Sequence, residues 1–325
     1  VIHRTTHPGR GALPAGGLAL LLTLTACGGG STEESADAAA DTVTVETDYG
    51  NVDIPADPQS IVALEFGNEV LLEAGITPAG VIEPTPSLYT EEQMGILEQA
   101  PVVQSASLEI NLEAVATAAP DLIIGGVREV SHADYEARKE DLEQIAPTVL
   151  LDFDGADSQL RDMTLELSEI IGDGERARAE RETFETRSDE IGRTYAEQLE
   201  EHTFAVVFAV EDEFAVVNSN AWGGSTLDGL GARLTEAIEP AGEDFAAWYS
   251  YENIDALADA DVVFYETDVT LEPDAFTEEL LGHELWSTLP AAQNEQVHPL
   301  RYSFSRTYAQ ANDVLDQIET VLQDL

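Results

Sequence analysis

The chain has 325 residues and is 43% hydrophobic, enough for two domains of ordinary size, each with a core. Acidic residues outnumber basic ones 64 to 14, a formal charge of -50, which weighs against nucleic acid or an anionic lipid surface as a partner. The acids are spread along the chain, so they read as a hydrated surface, of the kind suited to a saline or alkaline habitat, and say little about a small ligand.

Arg4 and Arg10 precede an apolar run over 12–26, which has the length of a signal-peptide core and is short for a bilayer span. It ends in Leu24-Thr25-Ala26-Cys27, the pattern of a bacterial lipobox. There Ala26 would admit the signal peptidase and Cys27 would become the lipidated first residue. As the single cysteine of the chain, Cys27 can form no intramolecular disulfide. Residues 1–26 are therefore expected to be a lipoprotein signal peptide. The Gly/Ser- and Ala/Asp/Glu-rich stretch 27–42 is expected to be a disordered tether. No later stretch is apolar for long enough to be a transmembrane helix.

A first lobe is expected over 43–157. Alternation around Tyr49-Gly50-Asn51 predicts a hairpin over 42–54, and 60–64 a short strand followed by a helix over 69–74. Strands follow at 78–82, 101–103, 122–124 and 148–151. Helices are expected at 91–99, from Asn111, which is a favoured N-cap, and at 135–145. This alternation predicts a parallel sheet with helices on both faces and a ligand beyond the carboxyl ends of the strands. Glu65-Phe66, Tyr89 and an expected turn at Gly125-Gly126-Val127-Arg128 lie at such ends.

Residues 158–201 are expected to hold a helix to 171 and then one long helix over 175–200, roughly 40 Å in length. Ala177, Phe184, Ile191, Tyr195 and Leu199 would share its apolar face. A second lobe is expected over 202–325. Its predicted strands are 202–210, 213–217, 261–265 and one from Val297. Its helices are 226–230, after a glycine-rich turn Trp222-Gly223-Gly224-Ser225, then 254–258 and 305–322. The fold class is thus α/β, two lobes with mainly parallel sheets flanked by helices and joined by one long α-helix. The stretches 112–124 and 254–264 share a rhythm of helix, acidic residue and apolar strand, which suggests related lobes.

No catalytic constellation stands out, and the chain reads as a non-enzyme. The 222–225 turn lacks the lysine of a phosphate loop and is not a nucleophile elbow. His132, His202, His283 and His298 show no metal-ligand spacing.

The ordered motifs are Ser60-Ile61-Val62-Ala63-Leu64, Asn111-Leu112-Glu113-Ala114-Val115 leading to Pro120-Asp121-Leu122-Ile123-Ile124, Ser250-Tyr251-Glu252-Asn253-Ile254 leading to Ala260-Asp261-Val262-Val263-Phe264, and Leu289-Pro290-Ala291-Ala292-Gln293-Asn294. Together with the lipobox and the long helix, they resemble the substrate-binding lipoproteins of ABC importers for ferric siderophores, haem and cobalamin. The resemblance runs from about residue 43 to the end. It implies a monomer, anchored by lipid to the outer face of the bacterial cytoplasmic membrane, that delivers its ligand to an ABC permease and its ATPase. It places permease-docking glutamates at Glu113 and Glu252, which sit where first-turn helix glutamates are also favoured by the dipole.

A ferric siderophore brings its iron already coordinated, so the protein needs aromatic surface and a few cations and no metal ligands or cofactor of its own. The expected ligand-binding residues are Arg128, Trp222, Arg301, Tyr302, Trp248 and Tyr89. Three rivals remain at this point. Haem would need an axial ligand such as Tyr89 or Tyr302. Cobalamin would want several aromatics and no anion-clamping arginines. A surface module would show no small-molecule affinity. Within the siderophore class, hydroxamate, catecholate and citrate types all remain open at this point.

Overall fold

The computed structural model describes residues 41–47, 49–153 and 157–325; the expected signal peptide, Cys27 and the tether to residue 40 lie outside them. The described chain opens on an antiparallel hairpin, β1 (Thr42–Thr47) and β2 (Gly50–Pro55), whose alternation turns Val45 and Ile54 into the core. Next come β3 (Ile61–Ala63), α1 (Gly67–Glu73), β4 (Val81–Ile82), α2 (Glu91–Leu97), β5 (Val102–Gln104), α3 (Leu112–Ala118), β6 (Leu122–Arg128), α4 (Glu129–Ile145) and β7 (Thr148–Phe153). Strands β3, β6 and β7 pair in parallel, and a bridge from Val62 to Gly80 joins β4 and β5 to them. Ile61, Leu122 and Ile124 face one apolar cluster, while Val62 and Ile123 face another. Helices cover both faces, so these strands read as unbroken apolar runs.

The linking region is α5 (Asp157–Ile170), α6 (Gly174–Thr194) and α7 (Ala196–Glu201). The single helix expected over 175–200 is interrupted at Tyr195, whose φ of -109 and ψ of 25 leave the helical range. The rod itself has 21 residues, about 30 Å. Ile191, Tyr195 and Leu199 pack into the second-lobe core, and Gly192 lies against the carbonyl of Leu230. The second lobe thus claims the helix end, and the bend at Tyr195 lets α7 follow it.

The second lobe contains β8 (Thr203–Val210), β9 (Glu213–Val217), α8 (Trp222–Gly229), β10 (Arg233–Leu234), β11 (Ala246–Ser250), β12 (Val262–Thr267), α9 (Ala275–Gly282), α10 (Pro290–Gln293), β13 (Val297–Arg301) and α11 (Tyr308–Asp324). Its sheet runs β11-β9-β8-β12-β13, with β10 also on β8; β9 and β11 are antiparallel and the others parallel. The fold is the expected two-lobed α/β type, with an antiparallel edge added. Tyr308, Ala311, Leu315, Ile318 and Leu322 form the buried face of α11, as their spacing predicts.

The shared rhythm of the two lobes has a physical basis. Asp121, ahead of β6, accepts the N–H groups of Gln59 and Ser60 at 2.8 and 3.0 Å. Asp261, ahead of β12, accepts the N–H of Thr203 at 2.9 Å. In each lobe an aspartate caps the start of the neighbouring parallel strand. Both strand pairs are central to their sheets.

The rod is not the only link between lobes. After β13, residues 303–308 cross to the first lobe. There Ser305 meets Arg161 at 3.1 Å, the Arg306 carbonyl accepts from Thr164 at 2.8 Å, and Thr307 donates to Glu73. On the other side, the Val269 N–H donates to the Ser87 carbonyl at 3.0 Å.

Candidate functional site

The strand ends of both lobes converge on one aromatic surface. Phe66 follows β3 and Phe153 ends β7; their rings lie 6.0 Å apart, edge to face. Phe66 then meets Phe304 of the second lobe at 6.5 Å, and Phe304 meets Trp222 at 5.2 Å. Trp222 continues to Phe208 at 4.9 Å and to Phe245 at 5.7 Å, and Phe208 meets Trp248 edge-on at 5.4 Å. These separations suit attractive ring pairs. Trp248 and Phe245 remain 46% and 42% exposed, so the outer end of the strip faces solvent. An exposed run of large rings of this kind marks a binding surface.

Local sequence explains the placement. Phe208 and Trp248 both pair across the sheet with Ala215, whose small side chain lets the two rings meet above it. A Cβ on Gly126 would fall 2.8 Å from the Phe66 ring and 2.6 Å from the Met163 sulfur, so only glycine admits this packing. The expected turn at 125–128 is instead the end of β6, and the strand carries Arg128 directly to the cleft. The turn expected at 222–225 is the first turn of α8. Phe66, Trp222 and Tyr302 hold positive φ of 63, 49 and 55, a strained setting for bulky residues that often accompanies function.

Charges line the first-lobe side. Arg128 lies 5.7 Å from the Phe66 ring centre, is 39% exposed, and pairs with buried Glu65 at 2.5 Å. The Ser131 hydroxyl lies 3.1 Å from the other Glu65 oxygen and accepts the Arg128 N–H at 3.0 Å. Burial raises the Glu65 carboxyl above its usual range, and Arg128 and Ser131 act against that shift. Arg306 lies beside both Phe66 and Phe304 and is paired with buried Glu69. Glu266, at the end of β12, lines a small inter-lobe cavity with Glu69, Tyr302 and Arg306, and burial pushes its carboxyl up to about 7.

The structure gathers three of the six expected ligand residues, Arg128, Trp222 and Trp248, on this surface. The other three are placed differently. Tyr89 lies on the loop ahead of α2, but its side chain does not face the cleft. It is buried and donates to Glu69 at 2.8 Å, and burial first and Glu69 second raise its phenol far above the usual range. Arg301 is held by both oxygens of Asp313, at 2.7 and 2.6 Å. Tyr302 lines the inter-lobe cavity beside Glu266. Sequence reasoning missed Phe208, Phe245, Phe304 and Arg306. Phe304 and Arg306 could have been found as the aromatic and the cation that follow the last strand.

Glu113, in the first turn of α3, and Glu252, in the first turn of the 3-10 helix Tyr251–Leu257, are both exposed. Neither carboxylate makes an ion pair among the described residues. Asn111 caps α3 by accepting the Ala114 N–H at 3.1 Å. A larger cavity of about 900 Å³ lies away from the aromatic strip, between the β1–β2 hairpin and α5–α6. Its walls include Glu166, Glu169 and Glu175, and it offers none of the strip's rings.

Two α/β lobes that meet across a ring-lined cleft, with one helix packed on both, define a solute-binding protein. The family described as periplasmic binding protein matches residues 62–301, and the chain belongs to it. The resemblance carried by 60–64, 111–124, 250–264 and 289–294 is thereby borne out. A solved siderophore periplasmic binding protein from the fuscachelin gene cluster of Thermobifida fusca is 66% identical, with a TM-score of 0.81 over 83% of this chain and 98% of that one. The probable siderophore-binding lipoprotein YfiY of Bacillus subtilis (strain 168) is 26% identical over 325 residues, 93% of this chain and 95% of the relative. The iron(3+)-hydroxamate-binding protein YxeB of the same organism is 26% identical over 291 residues, 86% of this chain and 85% of the relative.

Proposed function

We propose that this protein captures a ferric siderophore on the aromatic strip and delivers it to the permease and ATPase of an ABC importer. The observation that carries this reading is the ring surface that runs from Phe66 across Phe304 to Trp222 and Trp248, with Arg128 at its edge. Such a surface covers the organic shell of a chelate, and a guanidinium donates to its oxygens. Among the described residues, no group of three or more His, Cys, Asp or Glu is placed to hold a metal, so iron bound here would be held by its chelator. The relatives named for siderophores and hydroxamate iron support the same ligand class.

The protein acts as a carrier, not a catalyst, and as a monomer. Among the described residues no helix is long and apolar enough to cross a membrane. Cys27 in its lipobox supplies the anchor, in keeping with the lipoprotein relative. Glu113 and Glu252 supply one docking carboxylate from each lobe. The rod, reinforced by the crossing at 303–308, holds the lobes nearly fixed when ligand binds. Cobalamin is a second reading, favoured by the number of cleft rings.

Trp222 and Trp248 lie in the strip, so intrinsic tryptophan fluorescence reads binding directly. Titration with ferric hydroxamate, ferric catecholate, ferric citrate, haem and cobalamin should show quenching by an iron chelate. Quenching by haem or cobalamin alone, or by none of them, rejects the proposal. Charge reversal at both Glu113 and Glu252 should abolish uptake by cells while binding in solution stays intact. Unchanged uptake would remove the docking assignment.

A further inference from the structure

The arginines at and near the cleft are already neutralised within the protein. Arg128 is held by Glu65, Arg306 by Glu69, and Arg301 by Asp313. Glu65 and Glu69 are buried beneath the rings, and Glu266 brings a third carboxyl to the Arg306 cavity. The exposed neighbours are acidic too, with Glu129 following Arg128 and Glu243 and Asp244 preceding Phe245.

A cleft that clamps a polyanion presents guanidinium N–H groups without internal partners, aimed at the ligand. In this cleft, an anion that approaches Arg128 also meets the field of Glu65. That carboxylate cannot swing out to solvent, because it is buried and fixed by Ser131 as well as Arg128. Removing one member of such a pair leaves the other uncompensated, so charge at this position is set by both residues together. Arg128 keeps enough exposure to donate to a neutral carbonyl or hydroxamate oxygen, while the rings supply contact area that is indifferent to charge.

We infer that the site selects ferric chelates of zero or positive net charge, and that Glu65 and Glu69 set this selectivity by neutralising Arg128 and Arg306. The inference rests on the ferric-siderophore reading and narrows it to a ligand class. Discrimination arises by opposing the wrong partner as well as by attracting the right one.

The test is fluorescence titration of the purified protein with two probes, a neutral ferric trihydroxamate and a trianionic ferric tris-catecholate. The native protein should favour the neutral chelate. Glu65→Gln keeps the shape of the side chain and frees the charge of Arg128. It should move the ratio of the two affinities toward the trianion by about tenfold or more. An unchanged ratio in that variant overturns the inference whatever the native preference, because a difference in shape between the probes cancels in the comparison. A second variant tests the other pair named. Glu69→Gln frees the charge of Arg306 and should move the same ratio in the same direction. An unchanged ratio in Glu69→Gln overturns the inference even if Glu65→Gln does not fold. If neither probe quenches, the inference falls, and the siderophore reading falls with it only if ferric citrate also fails to quench.

Discussion

The two lobes meet the cleft with opposite chemistry. The first presents ion pairs, Glu65 with Arg128 and Glu69 with Arg306 reaching over from the second lobe, around the buried ring of Phe66. The second presents rings, with Phe245 and Trp248 exposed and Phe208 and Trp222 half-covered behind them. Ring surface gives contact area that tolerates many ligand shapes. Pairs anchored on a buried carboxylate give little net stabilisation and fix charge and geometry instead. The division implies that the second lobe supplies most of the affinity and the first lobe decides which chelate profits from it.

The largest test of that division is structural. Glu69→Ala would leave the half-buried Arg306 without its partner and Tyr89 without the acceptor of its hydroxyl. Breaking a pair whose carboxylate is buried and whose arginine is half-buried costs roughly 2–4 kcal/mol. Denaturant unfolding should show that loss as a lower midpoint. A loss under about 1 kcal/mol would mean that water reaches the seam and that the pair is not a fixed part of the first-lobe face.

On the ring side, Trp222→Ala should weaken ligand binding by roughly 2 kcal/mol, about thirtyfold, as expected of a central aromatic contact. Trp248→Ala should cost about tenfold in affinity while stability stays within about 0.5 kcal/mol, because 46% of Trp248 is already in solvent. Titration and unfolding of both variants check the pair of expectations. Full affinity in both would break the assignment of affinity to the second lobe.

What could be read from sequence follows the same division. Arg128, Trp222 and Trp248 were legible, since strand ends and composition point to them. The 303–308 crossing was not, because its place depends on Glu69, Glu73 and Arg161, which are contacts between distant parts of the chain. That crossing brings Phe304 and Arg306 to the site. Phe208 sits in an apolar run, 203–210, that looks like ordinary core, and only its pairing with Ala215 reveals its exposed face. Tyr89 was placed at a strand end as a ligand residue, whereas Glu69 draws its hydroxyl inward, a contact that sequence does not show. Helix 175–200 read as continuous because its pattern carries no proline, and the bend at Tyr195 comes from packing on the second lobe. Strands β10 and β11 were missed because one is only two residues long and the other lacks alternation.

The smallest effect concerns the seam where the two chemistries touch. Glu266 has its carboxyl raised to about 7 by burial, with Asp274 adding to the shift and Arg306 opposing it. In the unfolded chain the same group would titrate near its ordinary value of 4.5. The folded protein therefore holds a proton that the unfolded chain releases, so stability falls as pH rises from about 4.5 to about 7 and the penalty is constant above that. Because Glu266 keeps some solvent contact, the loss should be on the order of 1–2 kcal/mol. Glu266→Gln removes it. Unfolding midpoints measured at about pH 5 and about pH 8 should differ less in the variant than in the native protein. Equal differences would mean that Glu266 is ionised at both values, and the cavity beside Arg306 would then carry a full extra negative charge. That result would deepen the contrast between the lobes, since the first-lobe face would then meet a permanently anionic partner across the seam.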